Sequence, residues 1–133
     1  MKFGLDKIGN GGGTFISLGG RTDGNNGYRT KVKIAADGRV TVYLVRVVNG
    51  SETNLATALL PTTTTYSLGE QLQIRMQVQG TSPTTLRARV WEVGTTEPTT
   101  WQVTTTDDTA ALQNAAGISL VTYLTGSATN PPV

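Results

Sequence analysis

The sequence predicts an all-β fold, an antiparallel two-sheet β-sandwich. Three observations carry that expectation. The stretch from Tyr28 to Leu60, YRTKVKIAADGRVTVYLVRVVNGSETNLATALL, alternates apolar and polar side chains and is punctuated by Asp37-Gly38 and Asn49-Gly50. Such alternation places every second residue on one face of a strand, and Asn-Gly is the strongest short hairpin signal. A second alternating pair follows over Gln71–Gln79 and Thr85–Val93. Finally, 16 glycines and many threonines accompany almost no helical period in 133 residues, and this favours strands and turns.

In chain order, Lys2 to Lys7 is expected as a short edge strand and Gly9 to Gly13 as a glycine-dependent turn. The turn lacks a following Gly-Lys-Ser/Thr and helix, so it is not a phosphate loop. Thr14 to Gly19 reads as a strand, and Gly20 to Gly27 (GRTDGNNG) as a long flexible loop.

The register of the next three strands follows from turn chemistry. A two-residue turn at Asp37-Gly38 would set Lys33 in an apolar row. A three-residue loop, Ala36-Asp37-Gly38, instead sets Ile34 beside Val40 and Val32 beside Val42. A slip of one residue turns every side chain over, so the apolar pattern selects the longer loop. Folding at Asn49-Gly50 places Leu44 opposite Leu55, Val42 opposite Thr57 and Val40 opposite Leu59, all on the inner face. The outer face then carries Arg29, Lys31 and Lys33, then Thr41, Tyr43 and Val45, then Asn54, Ala56 and Ala58. Tyr43 falls between Lys31 and Ala56. That ring is either a platform for a ligand or a cover for the lysine stem.

Pro61 ends the third strand, and Thr62 to Gly69 crosses over. In the next hairpin Leu72, Ile74, Met76 and Val78 face in, opposite Leu86, Ala88 and Val90. Its outer face pairs Gln77 with Arg87, Arg75 with Arg89, and Gln73 with Trp91. Opposed arginines destabilise a ladder, so they must diverge into water or share an acceptor; an anionic ligand is the functional alternative. Gly94 to Thr100 is a loop, and Trp101 opens a strand where it would plug the end of the sandwich. Asp108 to Ala116 holds one or two helical turns with Asp108 as N-cap, Gly117 to Leu124 is the last strand, and Gly126 to Val133 trails off.

Composition bounds the function. Residues 1–133 suit a single domain with a genuine core. The formal charge of +2 implies no nucleic-acid partner. No apolar run approaches membrane-spanning length, and Met1-Lys2 leads into no signal-peptide core. Without cysteine or histidine there is no disulfide, thiolate site or Ser–His–Asp triad. The acidic residues sit mostly in or beside turns, and no pattern pairs them on one strand as glycoside hydrolysis requires. The expectation is therefore no enzyme and no cofactor. Asp107 and Asp108 could contribute to a calcium site, although capping suits the pair better.

The runs YRTKVKIAADGRVTVYLVR, ETNLA, LQIRMQVQGTSPTTLRARVWEVGTTEPTTWQVTTTD and GISLVTYLTGSATNPPV resemble concanavalin A-like (LamG-like) jelly-roll domains. Such domains belong to actinobacterial secreted proteins and to minor tail proteins of actinobacteriophages. The resemblance implies a non-catalytic jelly roll in a larger exported or virion-surface protein, binding glycan on the polar face of the meander. By position it nominates Arg29, Lys31, Tyr43 and Asn54 for the ligand; the outer face of the second hairpin supplies Arg75, Arg89 and Trp91 as secondary candidates. The competing expectation is a structural spacer or assembly module with no ligand. Full domains of this kind carry strands before the position of Phe3 and one after the Asn-Pro-Pro-Val region, and the expectation is that both are missing from residues 1–133. The open edges are then expected to be completed by a second copy, by exchanged strands or by a neighbouring segment.

Overall fold

The computed structural model describes residues 1–130; the prolines expected in the trailing end lie outside them. The chain forms β1 (Lys2–Phe3), β2 (Thr14–Asp23), β3 (Asn26–Ile34), β4 (Val40–Val48), β5 (Ser51–Leu59), β6 (Leu72–Gln79), β7 (Thr84–Glu92), β8 (Val103–Asp107) and β9 (Gly117–Leu124). One turn of 3₁₀ helix, Ala110–Leu112, precedes β9. The strands make two antiparallel sheets, ordered β1-β6-β7-β8 and β5-β4-β3-β2-β9. The architecture is a β-sandwich.

Alternation builds the core. Val32, Ile34, Val40, Val42 and Leu44 of the five-stranded sheet meet Leu72, Ile74, Leu86, Ala88 and Val90 of the four-stranded one, and all are buried. Across the gap β2 lies against β6, β4 against β7, and β5 against β8. The three-residue loop is present: Ile34 pairs with Val40, the Ala35 N–H donates to the Arg39 carbonyl, and Gly38 takes φ of 80°. That left-handed conformation suits a residue without Cβ. The β6–β7 register matches expectation at Gln77–Arg87, Arg75–Arg89 and Gln73–Trp91.

Several expectations need correction. Asn49 and Gly50 do form the tight turn, with φ of 51° and 79°. However, a bulge between Leu44 and Val45 shifts the ladder, so Leu44 faces Ala56 and Val42 faces Ala58. Ala56 and Ala58 therefore pack inward, while Leu59 is left exposed. Leu55 still packs on the core beside Ala56, because a bulge sets two successive residues against one partner. Tyr43 lies between Lys31 and Thr57, not beside Ala56. Gly20 to Gly27 is no long loop. β2 continues through a bulge, with Arg21 at φ of 51°, to a hairpin tip at Gly24-Asn25. The first strand shrinks to two residues. Asp108 does not cap the helical turn; Thr109 occupies that position.

Candidate functional site

The outer face of the five-stranded sheet gathers one row from each strand. In register across it run Tyr123 of β9, Phe15 of β2, Lys33 of β3 and Thr41 of β4. The next row holds Val121, Ser17, Lys31, Tyr43 and Thr57, and the row after it Ser119, Gly19, Arg29, Val45 and Asn54. Phe15 and Tyr123 are direct cross-strand partners with ring centroids 6.1 Å apart, tilted by 44°. The Lys31 ammonium stands 5.6 Å from the Phe15 ring centre and 5.8 Å from that of Tyr43. Lys33 stands 5.8 Å from Phe15. These are cation–π distances.

Glu52, at the start of β5, reaches over β4 to this row. Its Oε1 accepts from Arg29 Nη1 at 2.8 Å, and its Oε2 accepts from the Lys31 ammonium. Partial burial pushes the Glu52 carboxyl up. The Lys31 hydrogen bond and the charges of Lys31 and Arg29 outweigh this and hold it below the ordinary glutamate value. Val45, flanked in register by Arg29 and Asn54, is fully buried although it belongs to the outer row.

Phe15, Ser17, Arg29, Lys31, Glu52 and Tyr123 line a groove of about 340 Å³, closed on one flank by Val121. The size is that of a small-ligand site. Of the residues nominated from sequence, Arg29 and Lys31 lie in the groove. Tyr43 flanks it through Lys31, and Asn54 is exposed one strand further on. Sequence reasoning missed Phe15, Glu52 and Tyr123. The alternation of TFISL and ISLVTYL would have put both rings on a strand face. Nothing local says that β2 and β9 are neighbours.

The secondary candidates form no comparable groove. Arg75 Nε and Arg89 Nε converge on Glu97 Oε1 at 3.1 and 2.6 Å, so the loop supplies a shared counter-charge through ion pairs. Arg89 also donates to the Pro98 carbonyl and lies 4.5 Å over the Trp101 ring. Trp101 thus covers an arginine on the outer face of the four-stranded sheet and does not plug the sandwich. Trp91, 6% exposed, offers no ring to a ligand. Asp107 is not free for calcium: Oδ1 accepts from the Tyr28 hydroxyl and the Thr109 N–H, and Oδ2 from Arg46. Among the described residues no three acidic side chains come together as a metal site.

Comparison with protein-family models, curated proteins and solved structures produced no match for the chain.

Proposed function

We propose that the domain is a non-catalytic carbohydrate-binding module that attaches a larger extracellular or virion-surface protein to a polysaccharide or bacterial envelope. The observation that carries this reading is the groove of Phe15, Tyr123, Arg29, Lys31 and Glu52. A sugar presents an apolar ring face and a rim of hydroxyls. The groove offers aromatic rings beside charged donors and an acceptor in fixed positions. The resemblance to concanavalin A-like jelly rolls implies a glycan on the same sheet. Glu52 is the single carboxylate lining the groove and is held by two cations, so the site lacks the paired carboxyls of a glycosidase. Arg29, Lys31 and Lys33 outnumber Glu52, which favours a polysaccharide carrying acidic groups.

A glycan array including uronic-acid polymers tests the reading. Wild type should be retained, Tyr123→Ala and Tyr43→Ala should weaken retention about tenfold or less, as one ring contact supplies, and binding should fall with salt. No retention of wild type on any glycan retires it.

A second reading, an assembly module, is favoured by a different observation. Among the described residues, four of the six exposed large apolar side chains belong to β9: Ile118, Leu120, Val121 and Tyr123. On this reading the β9 edge is covered in the working protein.

A further inference from the structure

The two sheets have four edges, and among the described residues they differ sharply. β1 is two residues long and β8 five. β5 is bulged and carries Glu52. Shortness, bulges and charge are the usual ways of blunting a sheet edge. β9 has none of them. It is eight residues long and runs in unbroken register with β2 from Leu124 to Ile118, with no neighbour on its other side. No charged residue occurs anywhere from Thr109 to the end of the chain.

Both faces of this edge are apolar. Ile118 and Leu120, 86% and 61% exposed, belong to the inner row, where the short β1 fails to cover them. A cleft of about 270 Å³ runs there between Phe3, Leu5, Ile16 and Leu120. Tyr123, 59% exposed, and Val121 belong to the outer row.

We propose that β9 pairs antiparallel with β9 of a second copy about a two-fold axis through Leu120 or Val121, joining two five-stranded sheets into one. This deepens the assembly reading and rests on its premise that the edge is covered. Three features select a second copy over an unrelated strand. In a symmetric antiparallel pair, residue i meets j and j meets i, so both registers place inner-row residues only against inner-row residues. Ile118 and Leu120 then meet Thr122, Leu120 or Leu124 of the other chain, and Val121 meets Val121 or Ser119. The strand is neutral, so like meets like without repulsion even though the chain is a net cation. The required partner is an uncharged extended strand with apolar residues on alternate positions, and β9 is itself such a strand. The same axis sets both outer-face grooves on one surface, where a polymeric ligand can engage them together.

The test measures the mass of the 133-residue chain by light scattering over a micromolar concentration series. Wild type should reach twice the chain mass, and the double variant Ile118→Lys, Leu120→Lys should remain at the single-chain mass with an unchanged circular dichroism spectrum. The chain has no cysteine, so single variants give a readout independent of that double change. Under mild oxidation Leu120→Cys or Val121→Cys should form a disulfide-linked dimer, and Thr57→Cys on β5 should not. A dimer that survives the double lysine change, or that cross-links only through Thr57→Cys, overturns the proposal. A monomeric wild type that binds an apolar fluorescent dye, with binding lost in the double variant, overturns pairing of like copies and leaves the edge to another strand. A monomer that binds no dye removes the assembly reading as well.

Discussion

The Tyr28 hydroxyl on β3 donates to Asp107 Oδ1 at the end of β8 at 2.8 Å, a buried hydrogen bond between the two sheets. Tyr28 is fully buried, and Asp107 is held in addition by Arg46 of β4 and by the Thr109 N–H. Burial first, and then the hydrogen bond to Asp107 and its charge, push the Tyr28 phenol up from 10.0 to about 12. A polar contact of this kind at the end of a sandwich sets its behaviour at both extremes of pH.

On the alkaline side the folded state holds the Tyr28 proton more tightly than the unfolded chain. Below pH 10 both states keep it, and the contribution is fully present. As pH rises towards 12 the unfolded chain gives up the proton first, so stability is lost. A rise of this size in the phenol's pKa corresponds to about 3 kcal/mol. Urea unfolding at pH 8 and at pH 11.5 should show most of that loss, and Tyr28→Phe should remove it from the difference.

At neutral pH the same Tyr28→Phe change leaves Asp107 short of one donor in a buried position. The expected cost is about 1–3 kcal/mol. Denaturant melts at pH 7 check it. A neutral effect would mean that water or Gln113 takes over the bond.

On the acidic side Asp107 and Glu52 act together. Burial raises Asp107, but the hydrogen bonds from Tyr28 and Thr109 and the Arg46 charge outweigh it, and its carboxyl lies below the ordinary value. Glu52 is lowered by Lys31 and Arg29 against a similar burial. Groups lowered on folding stabilise above their unfolded pKa, and that contribution disappears as pH falls through the folded values. Stability should therefore fall below about pH 4. Asp107→Asn should flatten the limb strongly. Glu52→Gln should change it by less than about 1 kcal/mol, because its pairs are partly open to solvent.

The bulge in β5 makes a prediction at a residue that touches no ligand. Leu44 faces Ala56, and Ala56 packs on the core. Ala56→Leu should therefore overpack the interior and cost about 1–3 kcal/mol. In an unbulged hairpin Ala56 would point outward and the same change would be tolerated, so thermal melts of this one variant separate the registers.

That bulge also marks where the sequence stops being informative. The loop at Asp37-Gly38 was legible because the wrong register would have put Lys33 among valines. The Arg75–Arg89 ladder was legible because LQIRMQVQ and TLRARV alternate without ambiguity. SETNLATAL alternates in two phases at once, with Leu55, Thr57 and Leu59 in one and Ala56 and Ala58 in the other. Only packing against β8 and the facing sheet selects between them. GRTDGNNG reads as loop because each of its residues favours turns, yet pairing with β9 draws Gly20 and Thr22 into a strand. The site was half legible. Arg29, Lys31 and Tyr43 follow from local alternation, whereas Phe15 meets Tyr123 across most of the length of the chain. Glu52 joins them by reaching over an intervening strand, which no periodicity encodes.

On the proposed reading, the face bearing Phe15, Lys31, Glu52 and Tyr123 receives the ligand. The most direct measurement is a ¹H–¹⁵N NMR titration of the 133-residue chain with an acidic oligosaccharide retained on the array. Shift changes should cluster at Phe15, Ser17, Lys31, Glu52 and Tyr123, leaving Arg75, Arg89 and Trp101 unmoved. Changes centred on those three, or none at saturating sugar, would contradict it.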